Sequence, residues 1–254
     1  MLRIEKFSLN IERKGKEPIQ VLHDISLCIR RNEKVAVVGA SGAGKTMIMR
    51  AVLGILPSQA VPSESTKIYF HDTPIYNAGE YCKAEHLPIA VILQDPLVAL
   101  NPMMTVEKQI GEALPGYMSK VEKFLEVKRL LHSVQLFEAD RIAKSYPGQL
   151  SGGMAQRVMV AMMMALKPLL LIGDEPTSSL DAPVGVEILR LIDQDLSTRQ
   201  ASFLLISHDI NMVRNFTDRI IVMHEGRVVE NILSKNLKQS VHPHTRKLLT
   251  AITQ

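Results

Sequence analysis

The chain has 254 residues, 46% hydrophobic and 22% charged, with a formal net charge of +4. These values fit one large globular domain or two small ones with a full core, and the mild charge excess, without a Lys/Arg run, gives no argument for nucleic acid. Two cysteines, Cys28 and Cys82, exclude a disulfide framework and point to a reducing compartment; the charged start excludes a signal peptide, and no stretch reaches the roughly 20 apolar residues of a membrane span, so a soluble protein that meets a membrane only from the side is expected.

Residues 2–11 and 19–29 alternate apolar and polar, as half-buried strands do, and a Gly- and Pro-containing turn over residues 13–18 separates them. An antiparallel N-terminal sheet is expected, with Lys67-Ile68-Tyr69-Phe70 as a further strand. Residues 34–38 form a short β-branched run that reads as a buried strand. The loop Gly39-Ala40-Ser41-Gly42-Ala43-Gly44-Lys45-Thr46 follows, and then a helix that stops at Gly54 and Pro57. Residues 58–66 read as a polar loop. Residues 88–93 are a second buried parallel strand, ending at Gln94-Asp95-Pro96. The β signal then vanishes from residue 97 to residue 147. Val127, Leu130, Leu131 and Val134 mark an amphipathic helix there, so this stretch reads as a helical insertion. Residues 169–173 are a third buried strand, ending in Asp174-Glu175. Asp181 with Pro183 starts another helix, and residues 202–207 are a fourth strand, ending at His208-Asp209. Two short strands flank Glu225-Gly226 as a hairpin, and residues 233–254 are helical in pieces.

Residues 39–46 fit the phosphate-binding pattern, in the strand–loop–helix context that the pattern requires. Glycines let successive N–H groups turn inward towards an anion, and the helix N-terminus adds its positive end. Lys45 would reach the β and γ phosphates, and the Thr46 hydroxyl would hold Mg²⁺. A carboxylate at a strand end near such a loop suits Mg²⁺, which Asp174 offers; Glu175 is then placed to orient or deprotonate a water. Leu150-Ser151-Gly152-Gly153-Met154-Ala155-Gln156-Arg157 is a second glycine turn entering a helix. It reads either as a Ser N-cap or as a second anion site, one that takes the ATP of another subunit.

Together these motifs resemble the ATPase subunits of ATP-binding-cassette transporters. The phosphate loop, the 150–156 signature, the 169–175 strand with its acids, Gln94, Ser179-Leu180-Asp181 and His208 stand in that family's order and spacing over nearly the whole chain. The resemblance implies an α/β P-loop NTPase with a RecA-like core sheet, an N-terminal antiparallel β subdomain and a helical insertion. It implies one cassette domain over residues 1–254, with a catalytic core at about 1–96 and 165–254 and a helical subdomain at about 97–164. It implies ATP and Mg²⁺ as ligands, with Thr46, Gln94 and Asp174 on the metal and Glu175, His208 and Gln94 in catalysis. Two cassettes would face head to tail, so that Ser151, Gly152, Gly153, Gln156 and Asp181 of one meet the ATP held by the other. Ile11 stands where the family stacks an aromatic residue on adenine, a loss of roughly 1–3 kcal/mol by analogy with base stacking.

A narrower resemblance is carried by Gln94-Asp95-Pro96-Leu97-Val98-Ala99-Leu100-Asn101-Pro102 and by His242-Pro243-His244-Thr245-Arg246. Both are similar to stretches of the oligopeptide, dipeptide and nickel importers, with His244 in place of a Tyr. The chain ends soon after the second stretch, as in the short ATPase subunit of nickel importers, so nickel or a nickel-like complex is favoured over peptide as cargo. The His242/His244 pair reads as a tail contact rather than a metal ligand. The partners implied are a second, homologous cassette or a second copy, two membrane permease subunits and an extracytoplasmic binding protein, at the cytoplasmic face of the inner membrane and without nucleic acid. The competing readings are a non-transport ATPase of this fold acting on nucleic acid or ribosome, and a small-molecule kinase. A single phosphate loop with a short helical insertion argues against the first, and the 150–156 turn with His208 against the second.

Overall fold

The structure, a computed structural model, describes residues 1–82, 87–178 and 180–250. The chain divides into two compact units, Met1–Leu87 with Ser202–Gln254, and Pro88–Ala201.

The first unit opens on β1 (Leu2–Arg13) and β2 (Lys16–Ile29), an antiparallel pair. Leu2, Ile4, Phe7 and Leu9 of β1 are buried, the alternation being reset by a register shift between Ile4 and Phe7 where Lys6 lies at φ +50°. The strands run further than expected, and the turn shrinks to Lys14-Gly15, with Gly15 at φ +70°. Pro18 lies inside β2. It is tolerated because β2 is an edge strand, where a missing N–H costs no ladder bond. Next come β3 (Lys34–Val38), α1 (Lys45–Leu53), β4 (Ala60–Pro62), β5 (Lys67–Phe70), β6 (Thr73–Asn77) and β7 (Glu80–Tyr81). Strand β5 pairs with β1 as expected, but β4 does too, in the stretch read as a loop. Three residues ending in Pro leave no periodic signal for that pairing. Gly54 ends α1 in the left-handed conformation, at φ +69°.

The second unit contains β8 (Ile89–Ile92), α2 (Pro96–Ala99), α3 (Val106–Ala113), α4 (Lys120–Ser133), α5 (Ala139–Lys144), α6 (Gly152–Ala165), β9 (Leu170–Asp174) and α7 (Ala182–Arg199). Strands β8 and β9 are parallel, and α2, α3 and α4 pack on α6. Val127, Leu130 and Leu131 are the buried residues of α4, in line with the periodicity. Ser119 and Glu122 cap its start reciprocally, a motif worth about 1 kcal/mol. Four α-helices and a 3₁₀ turn (Pro147–Gln149) stand between β8 and α6 where the periodicity marks one helix, because the shorter ones are too brief to repeat a pattern.

The first unit resumes with β10 (Ser202–Ser207), α8 (Ile210–Val213), β11 (Arg219–His224), β12 (Arg227–Leu233), a 3₁₀ segment (Ser234–Gln239) and α9 (Pro243–Thr250). Here the strand order is β12-β11-β3-β10, with β11 and β10 parallel to β3. Glu225-Gly226 turns β11 into β12 with both residues at positive φ, the geometry that suits a right-twisted hairpin. Burial raises the Glu33 pKa, but the Arg219 guanidinium at 2.8 Å and the Arg30 N–H more than offset it, so the carboxyl stays ionised below its usual range. No helix among the described residues is long and apolar enough to cross a membrane.

The tail is fastened to the β11–β12 hairpin. Glu230 accepts hydrogen bonds from Ser240 Oγ, at 2.7 and 2.9 Å, and from Thr245 Oγ1. The His244 ring stacks on His224 at 3.6 Å, and His242 lies 5.6 Å from His244, so both tail histidines serve as packing contacts. Burial lowers the His244 pKa, and His224, His242 and Lys247 lower it further against a smaller opposite pull from Glu225. The folded state therefore binds fewer protons here than the unfolded chain, and stability is lost as the pH falls below the ordinary histidine value of about 6.5. The thermal midpoint is expected to drop between pH 7.5 and 5.5, and His244→Tyr to make that drop smaller. Equal drops in the two proteins would show that the stack is not the cause.

Candidate nucleotide site

In the first unit the phosphate loop begins where β3 and β10 end together, beside β11. Val38 of β3 is in register with Ser207 of β10 on one side and Val222 of β11 on the other. Gly39 and His208 therefore leave adjacent strand ends, the place where an open α/β sheet binds its ligand. A Cβ on Gly39 would sit 2.4 Å from the Met223 carbonyl oxygen, so no other residue fits there. Gly44 lies at φ +93°, and a Cβ on it would meet Leu22 Cδ2 at 2.3 Å. The buried Leu22 of β2 thus forms the floor of the loop, which gives the antiparallel sheet a direct part in shaping it. Ala40, Ser41 and Gly42 form the exposed lip, while Ala43 is buried beneath them. Lys45 is 8% exposed, and its Nζ donates to the carbonyls of Gly39, at 2.9 Å, and Ala40, at 3.1 Å. Thr46 follows in the first turn of α1, half-buried. The result is a glycine cradle running into a helix N-terminus, with an ammonium held beside it.

His208 is exposed, and Asp209 after it caps α8 by accepting from Met212 N at 2.9 Å. Ile11 is half-buried in β1, between Ile19 of β2 and Ala60 of β4.

In the second unit β9 ends on Asp174, which is 5% exposed. Glu175 follows at φ +53°, a left-handed conformation that costs a non-glycine residue roughly 1–3 kcal/mol and gathers at functional sites. Ile92 of β8 pairs with Gly173 of β9, so Gln94 and Glu175 each stand two residues past that pair. Gln94 is exposed, and Asp95 behind it caps α2 through Leu97 N at 2.9 Å.

Ser151 caps α6, its Oγ accepting from Met154 N at 3.3 Å, and remains exposed. A Cβ on Gly152 would meet nothing within 4 Å, whereas one on Gly153 would come within 3.2 Å of Leu180 Cδ2. The turn is therefore open outwards and packed inwards. Gln156 is fully buried and donates from Nε2 to the Pro176 carbonyl at 2.7 Å. It grips the segment that leaves Glu175 instead of reaching outwards. Asp181 is the exposed N-cap residue of α7, with no side-chain cap hydrogen bond. Ser179, the first residue of that motif, lies outside the described residues. Thr177 fills the space beside Gly185, where a Cβ would be 3.1 Å away. The 150–156 turn, the acidic strand end and the 180–181 turn thus form one packed assembly within this unit. Sequence reasoning missed Leu22, the Met223 carbonyl, Thr177 and the inward role of Gln156. Only the glycines at 39, 44 and 185 signalled that something lay close.

Residues 22–178 match the model of a family described as ABC transporter. The chain belongs to the ABC transporter family. It is 38% identical over 242 residues to the oligopeptide transport ATP-binding protein AppD of Bacillus subtilis (strain 168), covering 93% of this chain and 74% of that one. It is 34% identical over 258 residues to the glutathione import ATP-binding protein GsiA of Escherichia coli (strain K12), covering 97% of this chain and 41% of that one, so it spans under half of GsiA. Among solved structures, a dimer of the ATP-binding cassette MJ0796 in a post-hydrolysis state with ADP and Pi superposes with a TM-score of 0.79. The two are 26% identical, over 92% of this chain and 99% of that one. The fold is that of a P-loop NTPase cassette, and the chain is an ABC-type ATPase, of a family that binds ATP and ADP.

Proposed function

We propose that this cassette is the ATP-hydrolysing subunit of an importer for peptide-class solutes, one of two cassettes set head to tail beneath a pair of permease subunits. The observation that carries the reading is the form of the 150–156 turn. Ser151 and Gly152 are exposed at a helix N-terminus, and Gln156 and Leu180 tie that turn to the strand end bearing Glu175. An outward anion site, built rigidly onto the catalytic strand, suits a triphosphate held by a facing subunit.

In this reading the whole chain is one cassette, and ATP lies on residues 39–46 with Ile11 at the adenine side. Lys45 exchanges its two backbone carbonyls for phosphate oxygens, and Glu175 holds and deprotonates the attacking water. His208 steadies the charge that develops on the γ phosphate. Ser151, Gly152 and Gly153 clamp that phosphate from the other cassette, where Asp181 lies alongside, and Gln156 acts through the Pro176 turn. The Thr46 hydroxyl, the buried Asp174 carboxylate and the Gln94 amide are hard oxygen donors of the kind Mg²⁺ takes, and the ion would neutralise phosphate charge there.

Gln94 leads straight into exposed apolar side chains, Leu97 (54%), Val98 (76%) and Met103 (83%), which support a permease-facing surface. A facing cassette, two permease subunits and an extracytoplasmic binding protein complete the assembly, at the cytoplasmic face of the membrane. The relatives AppD and GsiA are named for oligopeptide and glutathione, which favours peptide-class cargo over the nickel expected from the tail. Uptake of labelled dipeptide and of labelled nickel in a deletion strain discriminates between the two. Ser151→Arg is expected to leave this subunit's own ATP affinity within about twofold while hydrolysis in the assembled complex falls at least tenfold. A fall in its own affinity alone would place the turn in cis.

A further inference from the structure

We propose that the first unit carries a second anion site, remote in sequence from the phosphate loop, which takes a small polyanion bearing two or more phosphate groups. It lies between α8, the 3₁₀ segment and α9. A cavity of about 660 Å³ is lined by Arg214, Lys235 and Lys238, and a second, of about 280 Å³, by Arg214, Lys238 and Arg246. The two adjoin through the residues they share. Four cations therefore converge on one concave surface, and among the described residues none of the four has an acidic partner.

Elsewhere several cations sit beside an acid. Arg199 bonds Asp195, Arg219 bonds Glu33, Arg129 bonds Glu126, Arg141 bonds Glu138 and Lys128 bonds Asp140. No described acid lines the smaller cavity, and Asp218 is the acid of the larger one. One of its carboxylate oxygens accepts from the Lys34 N–H at 2.9 Å, and its single negative charge offsets only part of the charge of the four cations. Like charges held around a hollow repel one another and focus a positive potential, which a multivalent anion relieves. Arg214 is half-buried and lines both cavities, and guanidinium with ammonium groups is the set that recognises phosphate. The larger cavity falls in the size range of small-ligand sites and accommodates a di- or triphosphate. The same chemistry is offered by a free oligophosphate and by clustered phospholipid head groups.

The test uses the full chain carrying Lys45→Ala, which silences the phosphate loop. Titration calorimetry with inorganic tripolyphosphate at 0.15 M salt is run beside flotation with vesicles of phosphatidylglycerol and phosphatidylcholine, and of phosphatidylcholine alone. Tripolyphosphate is expected to bind, and Arg214→Gln/Lys238→Gln to weaken it at least about tenfold. Lys108→Gln/Lys120→Gln, which removes the same charge from the other unit, is expected to leave binding unchanged. Binding to the anionic vesicles alone, lost in the Arg214→Gln/Lys238→Gln protein, supports the same site with lipid as the source of phosphate. Binding to neither probe, or equal weakening by both pairs of substitutions, overturns the proposal.

Discussion

Glu175→Gln is expected to keep ATP bound while turnover in the assembled complex falls by about 10²–10⁴, the range attributed to a general base. The amide preserves the size of the side chain and hydrogen bonds to a water, but it takes no proton. Removing the charge does not remove the backbone arrangement, because the left-handed φ of +53° is imposed by the end of β9 and the turn in which Ser178 N donates to the Glu175 carbonyl at 3.1 Å. The Gln156–Pro176 hydrogen bond holds the following residue independently of Glu175. The variant should therefore fold, melt within a few degrees of the parent and accumulate in the ATP-bound state. Single-turnover hydrolysis with radiolabelled ATP, beside equilibrium binding, measures both quantities. Parent-like hydrolysis would remove Glu175 from the role of base.

Lys45→Ala is expected to weaken nucleotide binding at this subunit's loop by at least about 100-fold, with loss of turnover. Charge-assisted hydrogen bonds to ionised partners contribute about 1.5–3 kcal/mol each, and an ammonium bridging two phosphates supplies two of them, where 1.4 kcal/mol is a factor of ten. The structure adds a reason for Lys rather than any cation. At 8% exposure the ammonium is held by the Gly39 and Ala40 carbonyls, inside the curve it would serve, so little ordering is needed when phosphate arrives. Alanine leaves those carbonyls without that donor and costs some stability, but α1 and β3 keep their packing through Ile48, Val35 and Val37, all 0% exposed. Binding of a fluorescent ATP analogue, with a melting curve as control, checks the outcome. Unchanged affinity would contradict the phosphate-cradle reading.

Much of this was legible because the motifs are short, local and tied to strand ends. The run at 34–38, the loop at 39–46 and the helix stop at Gly54 are dictated by β-branched residues, glycines and the proline that follows. The strand at 170–174 announces itself as an apolar run that ends abruptly in two acids. What stayed hidden depends on contacts distant in sequence. That Leu22 floors the phosphate loop requires β2 to pass beneath Gly44, and no local pattern carries that. The motif around Gln156 suggests an outward-facing side chain, yet that side chain points inwards to Pro176. Helices α2, α3 and α5 are too short to repeat a period, and β4 is three residues ending in Pro. The stacking of His244 on His224 joins a tail to a hairpin end through two residues twenty positions apart, of a type with no fixed preference for burial.

The central claim is that the 150–156 turn acts across a subunit boundary, and it is most directly tested by the structure of the assembled transport complex with ATP and Mg²⁺, trapped with Glu175→Gln. The account predicts Ser151 Oγ and the Gly153 N–H at hydrogen-bond distance, about 3 Å, from the γ phosphate held by the facing cassette. A turn that contacts its own subunit's nucleotide, or that lies far from every triphosphate in the closed complex, would contradict it.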